Sequence, residues 1–231
     1  GDSLNYIDFT CSETDSSKYW GFLKFYGESE DYEFDSTTNI EKGSLLEYCI
    51  VERGSGSAVI DIEKANPKIN HSIIQNNKKR GIKASPFGDV AKYEKFNIEN
   101  TTFQSNGWTS LMVTIYSSNR AINYDGSSDK LFVSGNKFLL AQNTIVQNEE
   151  GRGYGFWSDG KADDLIMYKD SIVQIVENNH FEGGTYIVNT LEIPSLFSKN
   201  IFTKNLVGLA FGRYHQTKFD IVNNLFFKNK I

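Results

Sequence analysis

The residues best suited to chemistry lie in two acidic stretches near the middle of the chain and one basic stretch near its end. The first acidic stretch is Tyr124-Asp125-Gly126-Ser127-Ser128-Asp129 and the second is Ser158-Asp159-Gly160-Lys161-Ala162-Asp163-Asp164. Paired carboxylates can cleave a glycosidic bond, one as acid and the other as base or nucleophile. Asp159, Asp163 and Asp164 are therefore the catalytic candidates. Carboxylate oxygens also suit Ca²⁺, so Asp125, Asp129 and Asp159 are the candidate metal ligands. Near the end, Arg213 and His215 stand together in GRYHQ and could act as a base with a cationic partner. The bland reading is strong for all of these. Asp-Gly and Ser-Asp-Gly are ordinary turn sequences, and neither an EF-hand nor a nonapeptide calcium repeat is present. No cofactor is expected beyond Ca²⁺.

Aromatic residues gather around the same acids. Trp108, Tyr124, Tyr154 and Trp157, joined with Asp125, make a candidate binding set. A ring packs on the apolar face of a sugar while neighbouring polar groups take its hydroxyls. The alternative is that these rings cover a core. His71 and His180 read as turn residues beside apolar positions rather than as bases.

Composition narrows the classes. The chain has 231 residues, 39% hydrophobic and 14% aromatic, with a formal net charge of −5. That is ample material for a core. The acidity argues against nucleic acid as the main partner, because phosphate binding needs clustered Lys and Arg. No run of apolar residues is long enough for a membrane-spanning helix. No signal peptide is visible. The two cysteines, Cys11 and Cys49, make neither a disulfide scaffold nor a zinc motif. They read as unpaired, with a bridge open if they fall on neighbouring coils.

One phrase recurs and dictates how these residues must be positioned. IIQN starts at Ile73, FQSN at Phe103, IVQN at Ile145, FTKN at Phe202 and FFKN at Phe226. IVER at Ile50 and FEGG at Phe181 are degenerate copies. Asn143, Asn179, Asn200 and Asn224 stand two residues before four of the apolar leads, giving Asn-x-apolar-x-x-Asn. Short β-branched stretches lie upstream of several copies, and no long helical stripe is present. A unit with three short strands cannot bury its apolar face alone. Stacking such units buries a continuous core and pairs each strand with its copies above and below. Asn suits the corners because it tolerates left-handed backbone, and stacked amides can form a ladder. An antiparallel sandwich is the structural rival.

At these residues the chain resembles the pectin-lyase-like superfamily of parallel β-helix proteins, from about Leu45 onward. The FxxN phrase is similar to that of polymorphic membrane proteins, whose companion GGA[ILV] phrase is missing here. GSGSAVI at Gly54–Ile60 and LVGLAFG at Leu206–Gly212 are loose echoes of it. The resemblance implies an all-β, single-stranded, right-handed parallel β-helix of roughly seven to nine coils. It would form one domain over residues 1–231, part of a longer chain with neighbouring domains, with irregular insertions at about 107–136 and 149–170.

For function the resemblance is broad, since the superfamily hosts lyases, hydrolases, epimerases, adhesins and phage tail proteins. The motifs of its pectin hydrolases are absent in order, with Asp163-Asp164 the lone dipeptide match. The pectate lyase segment is also absent. The expectation is therefore a non-catalytic domain of a secreted or cell-surface protein, used in adhesion, glycan binding or as a spacer. The alternatives are a polysaccharide lyase or hydrolase sited on the Asp/aromatic face, and a phage tail or fibre domain. The expected partner is a polysaccharide or glycan.

Overall fold

The computed structural model describes residues 4–12, 18–27, 33–35, 40–85, 95–115, 130–139, 154–160, 174–184, 186–190, 195–211 and 219–230. These residues are all-β, with no helix. Three parallel sheets of eight, seven and seven strands hold nearly all of the strands. Sheet I runs from Ile7–Phe9 through Cys49–Glu52, Ile73–Gln75, Thr102–Gln104, Lys137–Leu139, His180–Glu182 and Ile201–Thr203 to Leu225–Phe227. Sheet II runs from Leu23–Phe25 through Ala58–Glu63, Arg80–Ser85, Thr109–Ile115, Tyr154–Gly160 and Tyr186–Thr190 to Val207–Phe211. Sheet III runs from Leu45–Glu47 through Lys68–Asn70, Lys95–Glu99, Lys130–Ser134, Gln174–Glu177 and Ser195–Ser198 to Phe219–Val222. The chain visits sheets III, I and II in turn and then returns to III, one strand further along. This arrangement is compatible with a β-helix and excludes the antiparallel sandwich. Among the described residues the one antiparallel pair, Glu33–Asp35 with Ile40–Lys42, lies outside the repeated phrases.

Each sheet contributes an apolar register row. In sheet I it is Phe9, Val51, Ile74, Phe103, Phe138, Phe181, Phe202 and Phe226. In sheet II it begins Leu23, Ile60, Ile82, Leu111. In sheet III it begins Leu46, Ile69, Ile98, Val133. Ile60, Ile69, Ile74, Ile82, Ile98, Phe103, Leu111, Phe181 and Phe202 are fully buried. The alternation along each strand sends neighbouring residues to opposite faces, as the buried–intermediate pattern of Cys49–Glu52 shows. Phe181, Phe202 and Phe226 stack nearly parallel, with ring centroids 5.0 and 4.7 Å apart.

The row corrects the reading of the repeat in three places. The leads are Val51 and Ile74, each one residue later than Ile50 and Ile73. Between Phe103 and Phe181 the row passes through Phe138, not Ile145. The matching asparagine is Asn136 rather than Asn143; Asn143 and Ile145–Asn148 lie outside the described residues. The two stretched intervals also hold regular strands, Thr109–Ile115, Lys130–Ser134 and Tyr154–Gly160 among them.

The inward-facing corner asparagines form the expected amide ladder but do not themselves take the left-handed turn. Left-handed backbone sits one residue before each of them. At the corner from sheet III to sheet I the positive-φ residues are Tyr48, His71, Asn100, Gly135, Asn178, Lys199 and Asn223. At the corner from I to II they are Arg53, Asn76, Ser105, Gly183, Lys204 and Lys228. The phrase asparagine follows the turn and points inward. Asn77, Asn106, Asn136, Asn179, Asn200 and Asn205 are all buried. Their amides staple successive circuits. The backbone N–H groups of Thr101, Asn136, Asn179 and Asn200 donate to Oδ1 of Asn136, Asn179, Asn200 and Asn224, at 2.8–3.0 Å. At the other corner, Gly54, Gly184 and Asn205 N–H donate to Asn77, Asn205 and Asn229 in the same way. The Nδ2 groups of Asn77, Asn106, Asn136, Asn200 and Asn205 then donate to a carbonyl of an earlier circuit, as Asn200 does to Val176 at 2.8 Å and Asn205 to Phe181 at 3.2 Å. A side chain that both donates and accepts is needed to close such a corner, because a buried amide left unmatched costs about 1–3 kcal/mol.

Candidate functional site

The candidate residues of the sequence fall into three groups. Tyr124, Asp125, Asp129, Asp163, Asp164, Arg213 and His215 lie outside the described residues. Tyr154, Trp157 and Asp159 lie on one strand of sheet II. Tyr154 pairs in register with Thr109, Trp157 with Met112, and Asp159 with Thr114. Trp157 and Asp159 share one register parity; Tyr154 has the other. Trp108 is described with its side chain and has a specific environment.

Trp108 stands at the corner from sheet I to sheet II, directly before the strand Thr109–Ile115. The Lys79 Nζ lies 4.8 Å from its ring centroid and the Arg80 guanidinium carbon 4.9 Å. Two cations therefore already occupy the ring, which the sequence reading offered as a sugar platform. A cation over an indole is attracted by the ring quadrupole, by about 0.5–1 kcal/mol at an exposed site. One residue earlier, Lys78 sits 5.7 Å over Tyr19. Backbone bonds fix this arrangement. Trp108 N–H donates to Lys79 O at 3.1 Å, Lys78 N–H to Gly54 O at 3.0 Å and Trp20 N–H to Arg53 O at 3.0 Å. The circuits approach so closely that a Cβ on Gly107 would lie 2.2 Å from Lys78 O. Arg53 adds its Nη2 donor to Lys18 O at 3.2 Å.

This corner gathers Lys18, Arg53, Lys78, Lys79 and Arg80 with Tyr19 and Trp108. Sequence reasoning missed it. The run Lys78-Lys79-Arg80 was legible as three consecutive cations in an acidic chain. Its companions Lys18, Tyr19 and Arg53 are tens of residues away and join it only through the stacking.

A second polar group lies on the outer face of sheet I. Lys204 Nζ donates to Glu182 Oε1 at 2.6 Å, and this hydrogen bond holds the Glu182 carboxyl below the usual carboxylate range. His180 Nε2 lies 3.1 Å from Thr203 Oγ1 and 3.6 Å from Glu182 Oε2. His180 is thus the first residue of a strand, not a turn residue. Farther along the same face, Glu52 accepts from Thr10 Oγ1 at 3.0 Å and from Gln75 Nε2 at 2.8 Å. These are cross-strand polar pairs of neighbouring circuits.

His71 does occupy a turn. Its φ is 46°, its ring stacks on Tyr48 at 5.0 Å, and its Nδ1 lies 3.5 Å from Glu47 Oε1. Glu47 Oε1 also accepts from Asn70 Nδ2 at 2.8 Å. Cys11 and Cys49 are both free thiols. Cys49 is buried, and that burial raises its thiol pKa. Among the described residues no group of three or more His, Cys, Asp or Glu could hold a metal ion. No described helix is long and apolar enough to cross a membrane.

Comparison with protein-family models, with curated proteins and with solved structures returned no match. The reading of function rests on the chain's own geometry.

Proposed function

We propose that the chain is a single right-handed parallel β-helix domain of the pectin-lyase-like kind, serving as a non-catalytic, glycan-binding scaffold of a secreted or cell-surface protein. The observation that carries this reading is the pair of asparagine ladders. The recurring polar side chains face inward and hold circuit to circuit, as Asn200 does between Val176 and Asn224. They build scaffold and leave the outer faces to do the binding. Stacked circuits then offer long, flat, repetitive surfaces, which suit an extended polymer better than a small molecule.

The test is a glycan array run beside a turnover assay. The purified protein is applied to neutral and acidic glycans, and the same polysaccharides are incubated with it and Ca²⁺. Retention of glycans without new reducing ends or unsaturated products is expected. Turnover that disappears in Asp159→Ala would replace this reading with a lyase or hydrolase. An array with no glycan retained would remove the binding role.

A further inference from the structure

The two ends of the stack carry opposite charge. All three parallel sheets begin within residues 1–47 and end within residues 199–231. The first segment holds eleven Asp and Glu against three Lys, a net −8, and the last holds six Lys and Arg against one Asp, a net +5. Residues 48–198 between them carry only −2. At the first end Lys24 is taken up by Glu63 of the next circuit, with Nζ 3.0 Å from Oε2, so the excess of acid there is larger still. At the last end Lys204 is held by Glu182, and Lys199, Lys228 and Lys230 remain as exposed cations. The last end is also apolar. Phe181 and Phe202 are fully buried, whereas Phe226, next in the same row, is 49% exposed. Ile221, Val222, Leu225 and Phe227 around it are exposed as well.

Among the described residues the strands Val207–Phe211, Phe219–Val222 and Leu225–Phe227 are paired along one side only, as are Ile7–Phe9, Leu23–Phe25 and Leu45–Glu47 at the other end. An open strand edge is a template for another strand, and a contiguous exposed apolar patch marks an interaction surface. We infer that the chain associates head to tail with further copies of itself, the basic, apolar end of one stack seated on the acidic end of the next. The acidic end offers exposed apolar residues of its own, Ile7, Phe22 and Tyr26 among them. In this orientation the strands of both copies run the same way, so parallel pairing continues across the junction at about 4.8 Å, the spacing within each sheet. Charge selects the orientation. Tail to tail would set +5 against +5 and head to head −8 against −8, whereas head to tail joins opposite signs. The two patches lie at opposite ends of the stack, so the contact is heterologous and builds an open row of chains rather than a closed dimer. The inference is independent of the glycan-binding reading above.

Sedimentation velocity on the whole chain, over a wide range of protein concentration at low and at high salt, measures the association. The wild type should form species larger than a dimer as concentration rises, and salt should weaken them. Two variants block one end each: Ile7→Lys/Asp8→Lys the acidic end, and Leu225→Glu/Lys228→Glu the basic end. All four positions are exposed. Thermal unfolding checks that the variants fold, and the single reversals Asp8→Lys and Lys228→Glu replace a double variant that does not. Each variant alone should associate at least about tenfold more weakly than the wild type, since a favourable contact becomes a like-charge one. An equimolar mixture of the two should regain association, because the intact basic end of one meets the intact acidic end of the other. A wild type that stays monomeric throughout would overturn the inference. So would association lost in one variant only, the mark of tail-to-tail or head-to-head contact. Association that both variants retain, or blocked variants that stay apart when mixed, would overturn it equally.

Discussion

Asn179 and Asn200 are joined twice through one atom: the backbone N–H and the side-chain Nδ2 of Asn179 both donate to Oδ1 of Asn200 at 3.0 Å. Asn200 in turn donates twice to Oδ1 of Asn224 at 2.9 Å. Asn179 and Asn200 are buried.

That relationship gives the first prediction. Asn200→Ala removes an acceptor from beneath Asn179 and a donor from Val176 O. It should lower stability by about 2–4 kcal/mol, since more than one buried group is left unmatched. Asn200→Asp keeps the acceptor but not the Nδ2 donor, and sets a carboxylate against a carbonyl. It should destabilise at least as much near pH 7 and less in acid. Urea unfolding of the variants at both pH values measures the difference.

Lys199 holds φ at 54° and its side chain is exposed. A side chain with a Cβ is strained in that region, by about 1–2 kcal/mol, and Asn bears it best after Gly. Lys199→Asn should therefore raise the unfolding free energy by up to about 1 kcal/mol. Lys199→Val, β-branched, should lower it. Chemical denaturation of the two variants should move in opposite directions.

Lys204 lowers the Glu182 pKa, and the sign of its pH effect follows. A carboxyl whose folded pKa is depressed adds stability above its unfolded pKa, and that stability is lost as pH falls through the folded value. The pair is partly exposed, so the contribution is no more than about 1 kcal/mol. Glu182→Gln should be slightly less stable than wild type near pH 7. The gap should close below about pH 4. A gap that persists in acid would mean Glu182 acts through packing rather than charge.

Cys49 is buried with a raised thiol pKa, while Cys11 is only partly covered. The thiolate is the reactive form. Alkylation of the native protein near pH 8 should label Cys11 first and Cys49 only with unfolding. Peptide mapping after timed iodoacetamide treatment reads the order directly. Equal labelling rates would show that the first circuits open far more readily than the rest.

Much of the fold was legible in the residues. The phrase Asn-x-apolar-x-x-Asn announced recurring corners, and the copies at Phe103, Phe202 and Phe226 stand where the spacing put them. The copies at Ile50 and Ile73 were off by one because two apolar residues stand side by side, and only strand pairing chooses Val51 and Ile74. The copy at Ile145 was a decoy. Phe138, followed by Leu139 and not by a phrase asparagine, takes its place in the row. The candidate site was less legible. Trp108 was found, but as a sugar platform, because its cations come from the circuit below.

The sequence by itself determined the all-β character and that a corner recurs beside each phrase asparagine, because burial alternation and turn preference are local properties of a few neighbouring residues. The tertiary structure alone decided the register of the circuits, which asparagines join the ladders, and which cations share the corner with Trp108. Those outcomes depend on pairing between residues 21 to 43 apart, such as Asn179 with Asn200 and Asn136 with Asn179. Closure entropy changes only slowly with loop length, so loops of unequal length can close on the same register. Spacing along the chain therefore does not reveal what lies beside what, while the buried amides and the apolar rows do.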